Sequence, residues 1–226
     1  MQDIKWFKAQ ISAVIPVGTY YRIIRVAKPT QYFYIAGQHT LVKFSAQQDP
    51  ELVFSFASHP DEEHLEFCVI NTGISPQEDA FKPGAYIFLS NGQGHFLYKR
   101  TSFPDLVFIA GGSGIAPIRS LLKEALVQRT SAKIHLLFGC RHKESFPYAV
   151  ELLDLKHKGK ISEVRLTAED SSAPPFGRGV ITQALDFISK KADYYVCGPL
   201  PLIDRVRDIL GSGNVPDDNI HHEVYV

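Results

Sequence analysis

The residues with the clearest chemical meaning in this chain are Gly111-Gly112-Ser113-Gly114-Ile115-Ala116-Pro117. Glycine admits positive φ and lets a ligand approach the backbone, and proline suits the first turn of a helix. The free N–H groups of such a turn attract an anion, so the stretch reads as a seat for a diphosphate. Its spacing, Gly112-x-Gly114-x-x-Pro117, departs from the dinucleotide fingerprint at the third glycine, and a plain strand-to-helix turn is the competing reading. Ser113 does not fit a hydrolase, because Ile115 stands where the nucleophile elbow needs glycine. A second candidate is Cys197, directly before Gly198-Pro199. By type alone it is a small buried hydrophobe. Its place at a strand's carboxyl end favours a site role, and a nucleophilic role needs a partner base.

The elements that position these residues follow from periodicity. Leu106–Ala110 is a buried strand, and Ile118, Leu121, Leu122, Ala125 and Leu126 form the apolar face of a helix. Beyond Arg100 strands and helices alternate. Strands are expected at Lys133–Gly139, Ser162–Leu166 and Tyr194–Cys197, and helices at Tyr148–Lys156, Ile181–Lys190 and Leu200–Leu210, with Asp170–Gly179 as a loop. That grammar predicts a parallel sheet covered by helices on both faces. Before Arg100 the chain reads as short strands at Ile11–Ile15, Tyr20–Val26, Thr40–Phe44, Leu52–Ala57, Leu65–Ile70 and Ala85–Leu89, with a short helix at Gln77–Phe81. Such spacing predicts an antiparallel barrel. The expected fold is therefore a β barrel plus an α/β domain, residues 1–102 and 103–226. Ligands bind beyond the carboxyl ends of parallel strands. Ala110-Gly111, Phe138-Gly139-Cys140-Arg141 and Val196-Cys197-Gly198-Pro199 should therefore open together on the cleft facing the barrel.

Bulk properties exclude several classes. The 226 residues carry 24 basic and 24 acidic side chains, a balance that implies neither nucleic-acid binding nor a polybasic membrane anchor. Cys68, Cys140 and Cys197 are odd in number and far apart, so no metal site, iron–sulfur cluster or disulfide framework is expected. Without a signal-like N-terminus or a membrane-length apolar run, a soluble cytoplasmic protein is expected.

Several ordered motifs together carry a resemblance. Val107 to Pro117, Tyr195-Val196-Cys197-Gly198-Pro199-Leu200-Pro201-Leu202-Ile203 and Glu223-Val224-Tyr225 resemble the ferredoxin–NADP reductase superfamily. So do Phe138-Gly139-Cys140-Arg141, Phe54-Ser55-Phe56-Ala57-Ser58 and Asn91-Gly92-Gln93-Gly94-His95-Phe96. The resemblance implies a ferredoxin-reductase-type barrel holding FAD, with FMN as the alternative, and a parallel sheet holding NADH or NADPH. It implies hydride transfer from nicotinamide C4 to flavin N5. It places Phe54 against the flavin ring and Ser55 near N5. Cys68, Val69 and Ile70 fall beside the ribityl chain, and Ile74-Ser75 at the flavin phosphate. Cys197 falls near nicotinamide C4, Glu223 completes a polar set with Ser55 and Cys197, and Tyr225 stacks on the flavin face. Read without the resemblance, Tyr225 is an aromatic closing a terminal strand.

The departures are as informative. Where the superfamily usually has an arginine pairing with flavin phosphate, this chain has Leu52, which should weaken flavin retention. Lys99 and Arg100 are substitutes or merely solvated linker charges. After Val164-Arg165-Leu166 the chain offers Thr167-Ala168-Glu169-Asp170, acidic residues that favour NADH. As solvated loop charges they would leave Arg141, Arg165 or Arg178 to serve NADPH. No ligand set for a heme or iron–sulfur group is present, so electrons are expected to pass to a separate redox protein or to free flavin as substrate. A flavin- or nucleotide-sensing subunit without redox chemistry is the alternative of another class, motivated by Leu52.

Overall fold

Alternating apolar side chains in the first half of the chain build six strands: β1 (Trp6–Val17), β2 (Tyr21–Ala27), β3 (His39–Lys43), β4 (Leu52–Ser55), β5 (His64–Ile70) and β6 (Tyr86–Ser90). They were described in a computed structural model covering residues 4–47, 52–71, 81–170, 176–185 and 189–225. The strands pair antiparallel in the order β4-β3-β6-β1-β2-β5. β1 is longer than its sequence pattern because it serves two partners. Trp6–Gln10 pairs with β6 and Ile11–Val17 with β2, with a register shift between Ile11 and Ala13 that bends the strand. The two edges then meet through a Phe56–Phe67 bridge and an Ala57 N–H donated to the Glu66 carbonyl at 2.7 Å, closing a barrel. Ile11, Ile24, Phe56, Phe67, Ile87 and Leu89 fill it. Each fully buried phenylalanine contributes about 2 to 3 kcal/mol.

The second half gives β7 (Asp105–Gly111), α1 (Ile115–Val127), β8 (Lys133–Cys140), α2 (Ala149–His157), β9 (Glu163–Ala168), β10 (Phe176–Arg178), β11 (Ala192–Pro199), α3 (Leu200–Ser212) and β12 (Ile220–Tyr225). All six strands are parallel, in the order β10-β9-β8-β7-β11-β12. Phe108 packs with α1 and α2 on one face, while Val107 and Ile109 pack with α3 on the other. β7 is thus covered on both sides, which is why it reads as an unbroken apolar run. From β7 the sheet grows one way through β8 to β10, and then β11 starts on its other side. The crevice over the carboxyl ends of β7 and β11 is therefore the switch point. Barrel residues Ala57, Cys68 and Phe96 join the α1/α2 cluster, so the two halves share a core.

Two elements differ from the sequence reading. Phe176–Arg178, expected as loop, pairs in parallel with Leu166–Ala168. The helix expected over Ile181–Lys190 is a single 3-10 turn at Ile181–Ala184, with residues 186–188 outside the description. Most of the Gln77–Phe81 helix also lies outside it, and Phe81 itself packs in the barrel core. Among the described residues no helix is long and apolar enough to cross a membrane.

β12 brings a pH-sensitive group into the fold. Burial, reinforced by Lys99, holds the His221 imidazole below its ordinary value despite the opposing Asp193 carboxylate. The ring also packs on Tyr195, centroids 4.7 Å apart. The folded state therefore favours the neutral ring. Its contribution is present above the ordinary histidine value of about 6.5 and is lost as pH falls. Thermal unfolding followed from pH 7.5 to 5.5 should show a smaller loss of Tm in His221→Gln than in the parent; equal losses would remove His221 as a source of acid sensitivity.

Candidate active site

At the carboxyl end of β7 the chain turns through one 3-10 turn, Gly112–Gly114, directly into α1, with no side chain capping the N-terminus. Gly112 needs its missing side chain: its φ is +56°, and a Cβ there would press on the Tyr21 hydroxyl. Gly114 needs it for contact, since a Cβ would land on the Cys197 carbonyl. The glycine turn and the end of β11 therefore touch backbone to backbone. Gly111 and Gly198 repeat this close approach, a Cβ on Gly198 falling 3.2 Å from the Gly111 Cα. Ser113 is buried, and Ile115, Ala116 and Pro117 anchor the turn in the core. Pro117 removes no helical hydrogen bond this early in α1.

Tyr21, which carried no signal in the sequence, crosses from the barrel to this turn. The Cys140 thiol lies near the Tyr21 hydroxyl and the Gly112 backbone. Burial pushes both Cys140 and Tyr21 upward, so thiol and phenol stay neutral near pH 7.

The other group assembles where β12 lies beside β11 and reaches the barrel. Cys197 is paired in register with Glu223, and Pro199 with Tyr225. The Tyr225 phenol lies within electrostatic reach of Cys197, Ser55, Glu223 and Cys68. Ser55 is 5% exposed and Cys197 fully buried. Burial, and next the Glu223 carboxylate, push the Cys197 thiol well up. A thiol held neutral is a poor nucleophile, which removes the nucleophilic reading of Cys197. One oxygen of Glu223, Oε2, is buried with no hydrogen-bond partner. The other lies 3.6 Å from His39 Nδ1. His39 was not legible as a site residue; it arrives because β3 pairs it with Ser55.

Not every expected residue faces this cleft. Phe54 turns its ring into the barrel against Phe67 and Phe81, a place from which it braces Ser55. Leu52 and Val69 are half-buried on the same barrel core. Cys68 joins the shared core, and Ile70 is exposed. Ile74 and Ser75 lie outside the described residues. Glu169 and Asp170 are exposed, but Asp170 is already engaged, accepting from His142 Nδ1 at 3.0 Å and the Lys143 N–H at 3.1 Å.

Known proteins share the fold and parts of the sequence. The family profile "Oxidoreductase NAD-binding domain" matches residues 108–208. The reductase component of propane 2-monooxygenase from Rhodococcus jostii is 23% identical over the whole chain. A probable flavin reductase from Vibrio harveyi is 29% identical over 80% of the chain and 82% of its own length. The chain spans 64% of the Rhodococcus protein and 36% to 52% of the eukaryotic flavohemoproteins that it also matches. Among solved structures, a ferredoxin–NADP+ reductase from Neisseria gonorrhoeae with bound FAD and NADP shares the fold. It has a TM-score of 0.84 at 20% identity, covering 98% of this chain and 99% of that one.

Proposed function

The chain belongs to the ferredoxin–NADP reductase and flavin reductase-like superfamily of FAD- and NAD(P)-binding oxidoreductases, and from that premise we propose that it carries hydride from NAD(P)H to a flavin and passes the electrons to a separate redox protein. The observation that carries this reading is the meeting of Ser55, Cys197, Glu223 and Tyr225 beside a glycine turn at the sheet's switch point. The residues fit a nucleotide. The uncapped turn with Gly112 at positive φ offers backbone N–H groups to a diphosphate, and the orphaned Glu223 Oε2 offers an acceptor to a ligand donor. Residues 111–117 with Gly198 and Pro199 hold the dinucleotide in this account. Ser55 and Tyr225 line the flavin side, with Phe54 behind Ser55, and the strand of Cys68, Val69 and Ile70 runs beside the ribityl chain.

A bound flavin supplies a two-electron acceptor at N5, and the chain supplies position and environment. Ser55 donates toward N5 or accepts from it, according to redox state. Cys197 presents a neutral, uncharged wall to the nicotinamide. Glu223 accepts a hydrogen bond and couples the site to His39 at its rim. Tyr225, in register with Pro199 at the end of β12 and beside Ser55, stands at the flavin side of the site. Glu169 and Asp170 favour NADH over NADPH by charge.

A second reading, reduction of free flavin as substrate, is favoured by one feature: Leu52 brings no charge to the flavin phosphate. FAD, FMN and riboflavin each titrated into purified protein distinguish the two. Retention of FAD through gel filtration supports the electron-transfer reductase. Colourless protein that turns over all three flavins saturably supports the free-flavin reductase. No NAD(P)H oxidation with any flavin or carrier, despite nucleotide binding, would leave a sensing subunit.

A further inference from the structure

A charged residue on α1 has no part in the chemistry above, yet it is among the most fully bonded side chains of the molecule. Arg119 is 5% exposed. Its Nη1 donates to the Ala57 carbonyl at 2.7 Å and to Glu66 Oε2 at 3.0 Å, both in the barrel. Nε and Nη2 engage Glu151 of α2, Nη2 at 2.7 Å from Oε2. Its guanidinium lies 4.1 Å from the centroid of Tyr148. The same helix extends the seam. Ser120 Oγ donates to the Ser58 carbonyl at 2.7 Å, Lys123 Nζ bonds Glu62 at 2.8 Å, and Glu124 meets His59 Nε2 at 2.8 Å.

The location gives the seam its meaning. Arg119 stands one turn beyond Gly114, and its barrel acceptor Ala57 stands two residues beyond Ser55. A buried ionic network is a costly way to hold two surfaces together, and apolar side chains would hold them at least as firmly. What a planar guanidinium fork adds is direction, because each acceptor must lie where a fixed N–H points. We propose that Arg119 is a positioning residue that registers the Ser55 strand of the barrel against the glycine turn before any ligand binds. The inference rests on the proposed function for its consequence, since rate depends steeply on the separation of reacting atoms. The registration itself does not depend on it.

Registration is tested without any ligand. The three native cysteines are buried, so spin labels can be placed at exposed Lys82→Cys in the barrel and Arg207→Cys on α3. The parent should give one narrow distance distribution by double electron–electron resonance. Adding Arg119→Met should broaden or split it, and Arg119→Lys, which keeps the charge but loses the fork, should fall between them. A broad distribution in the parent, or a narrow and unmoved one in both variants, would overturn the proposal. If Arg119→Met does not fold, Arg119→Lys decides. In flavin-loaded protein, the variants should transfer hydride about 10- to 100-fold more slowly at saturating NADH, the loss expected for slight misplacement. The Kd for NADH should stay within about threefold of the parent, so that the loss lies in the chemical step. Equal losses of rate and affinity would return Arg119 to a merely structural role. Protein that loads no flavin would count against the proposed function, while the distances would still decide the registration.

Discussion

Gly114→Ala is expected to cost about 3 kcal/mol of stability, the upper end of ordinary overpacking, and to weaken NADH binding about 100-fold or more, equivalent to roughly 2.8 kcal/mol. The added methyl has nowhere to go, because it lands on the Cys197 carbonyl and the neighbouring Gly198 nitrogen, which are backbone. Either the glycine turn lifts away from β11 or the end of β11 shifts, and both movements spoil the proposed diphosphate seat. Gly211→Ala is the control. Nothing lies within 4 Å of its added methyl, and it sits in α3. There alanine should be neutral or stabilising by up to about 1 kcal/mol through helix propensity. Thermal unfolding and NADH titration of both variants check the contrast. Equal behaviour would mean that the turn and β11 are not in the contact described.

The second large effect belongs to Ser55. Its hydroxyl stands beside the Tyr225 phenol and is a polar group that the barrel brings to the cleft near Cys197 and Glu223. Removing a placed hydrogen-bonding group from a reaction centre typically costs about 10²-fold in rate. Ser55→Ala is therefore expected to slow flavin reduction about 100-fold while flavin affinity falls only a few-fold, because one hydroxyl is a small part of a flavin's contacts. Stopped-flow absorbance at saturating NADH measures the rate, and fluorescence titration the affinity. An unchanged rate would remove Ser55 from the reaction. A proportional loss of flavin binding would make it a binding residue only.

The parts of the fold that were legible are those in which local pattern and tertiary demand agree. β7 reads as a buried strand because both its faces are covered, and α1 because its apolar stripe packs on that strand. β10 was missed because a three-residue edge strand in a Ser- and Pro-rich stretch has too little pattern to announce itself. The helix expected from Ile181 failed differently. Ile181 and Leu185 do both bury against the sheet, as i, i+4 helical spacing predicts, but a 3-10 turn with fewer residues per turn meets the same demand over Ile181–Ala184.

The site divides in the same way. Glycine and cysteine at strand ends stand out in the sequence because their types there restrict what they can do, whereas Glu223 and Tyr225 enter only through the resemblance. Tyr21, His39 and Arg119 were not, because each owes its position to a partner far away in the chain. Arg119 looks like a solvated helical charge until Ala57 and Glu66 close over it. Phe54 shows the limit of motif transfer, since a motif supplies an aromatic but only strand register decides which way the ring turns.

The most direct test is an anaerobic NADH titration of the FAD-loaded protein, following the flavin absorbance band. The account predicts complete bleaching at one equivalent of NADH, with a rate that saturates with NADH and falls about 100-fold in Ser55→Ala. A flavin band that persists under excess NADH, in protein shown by calorimetry to bind the nucleotide, would contradict it.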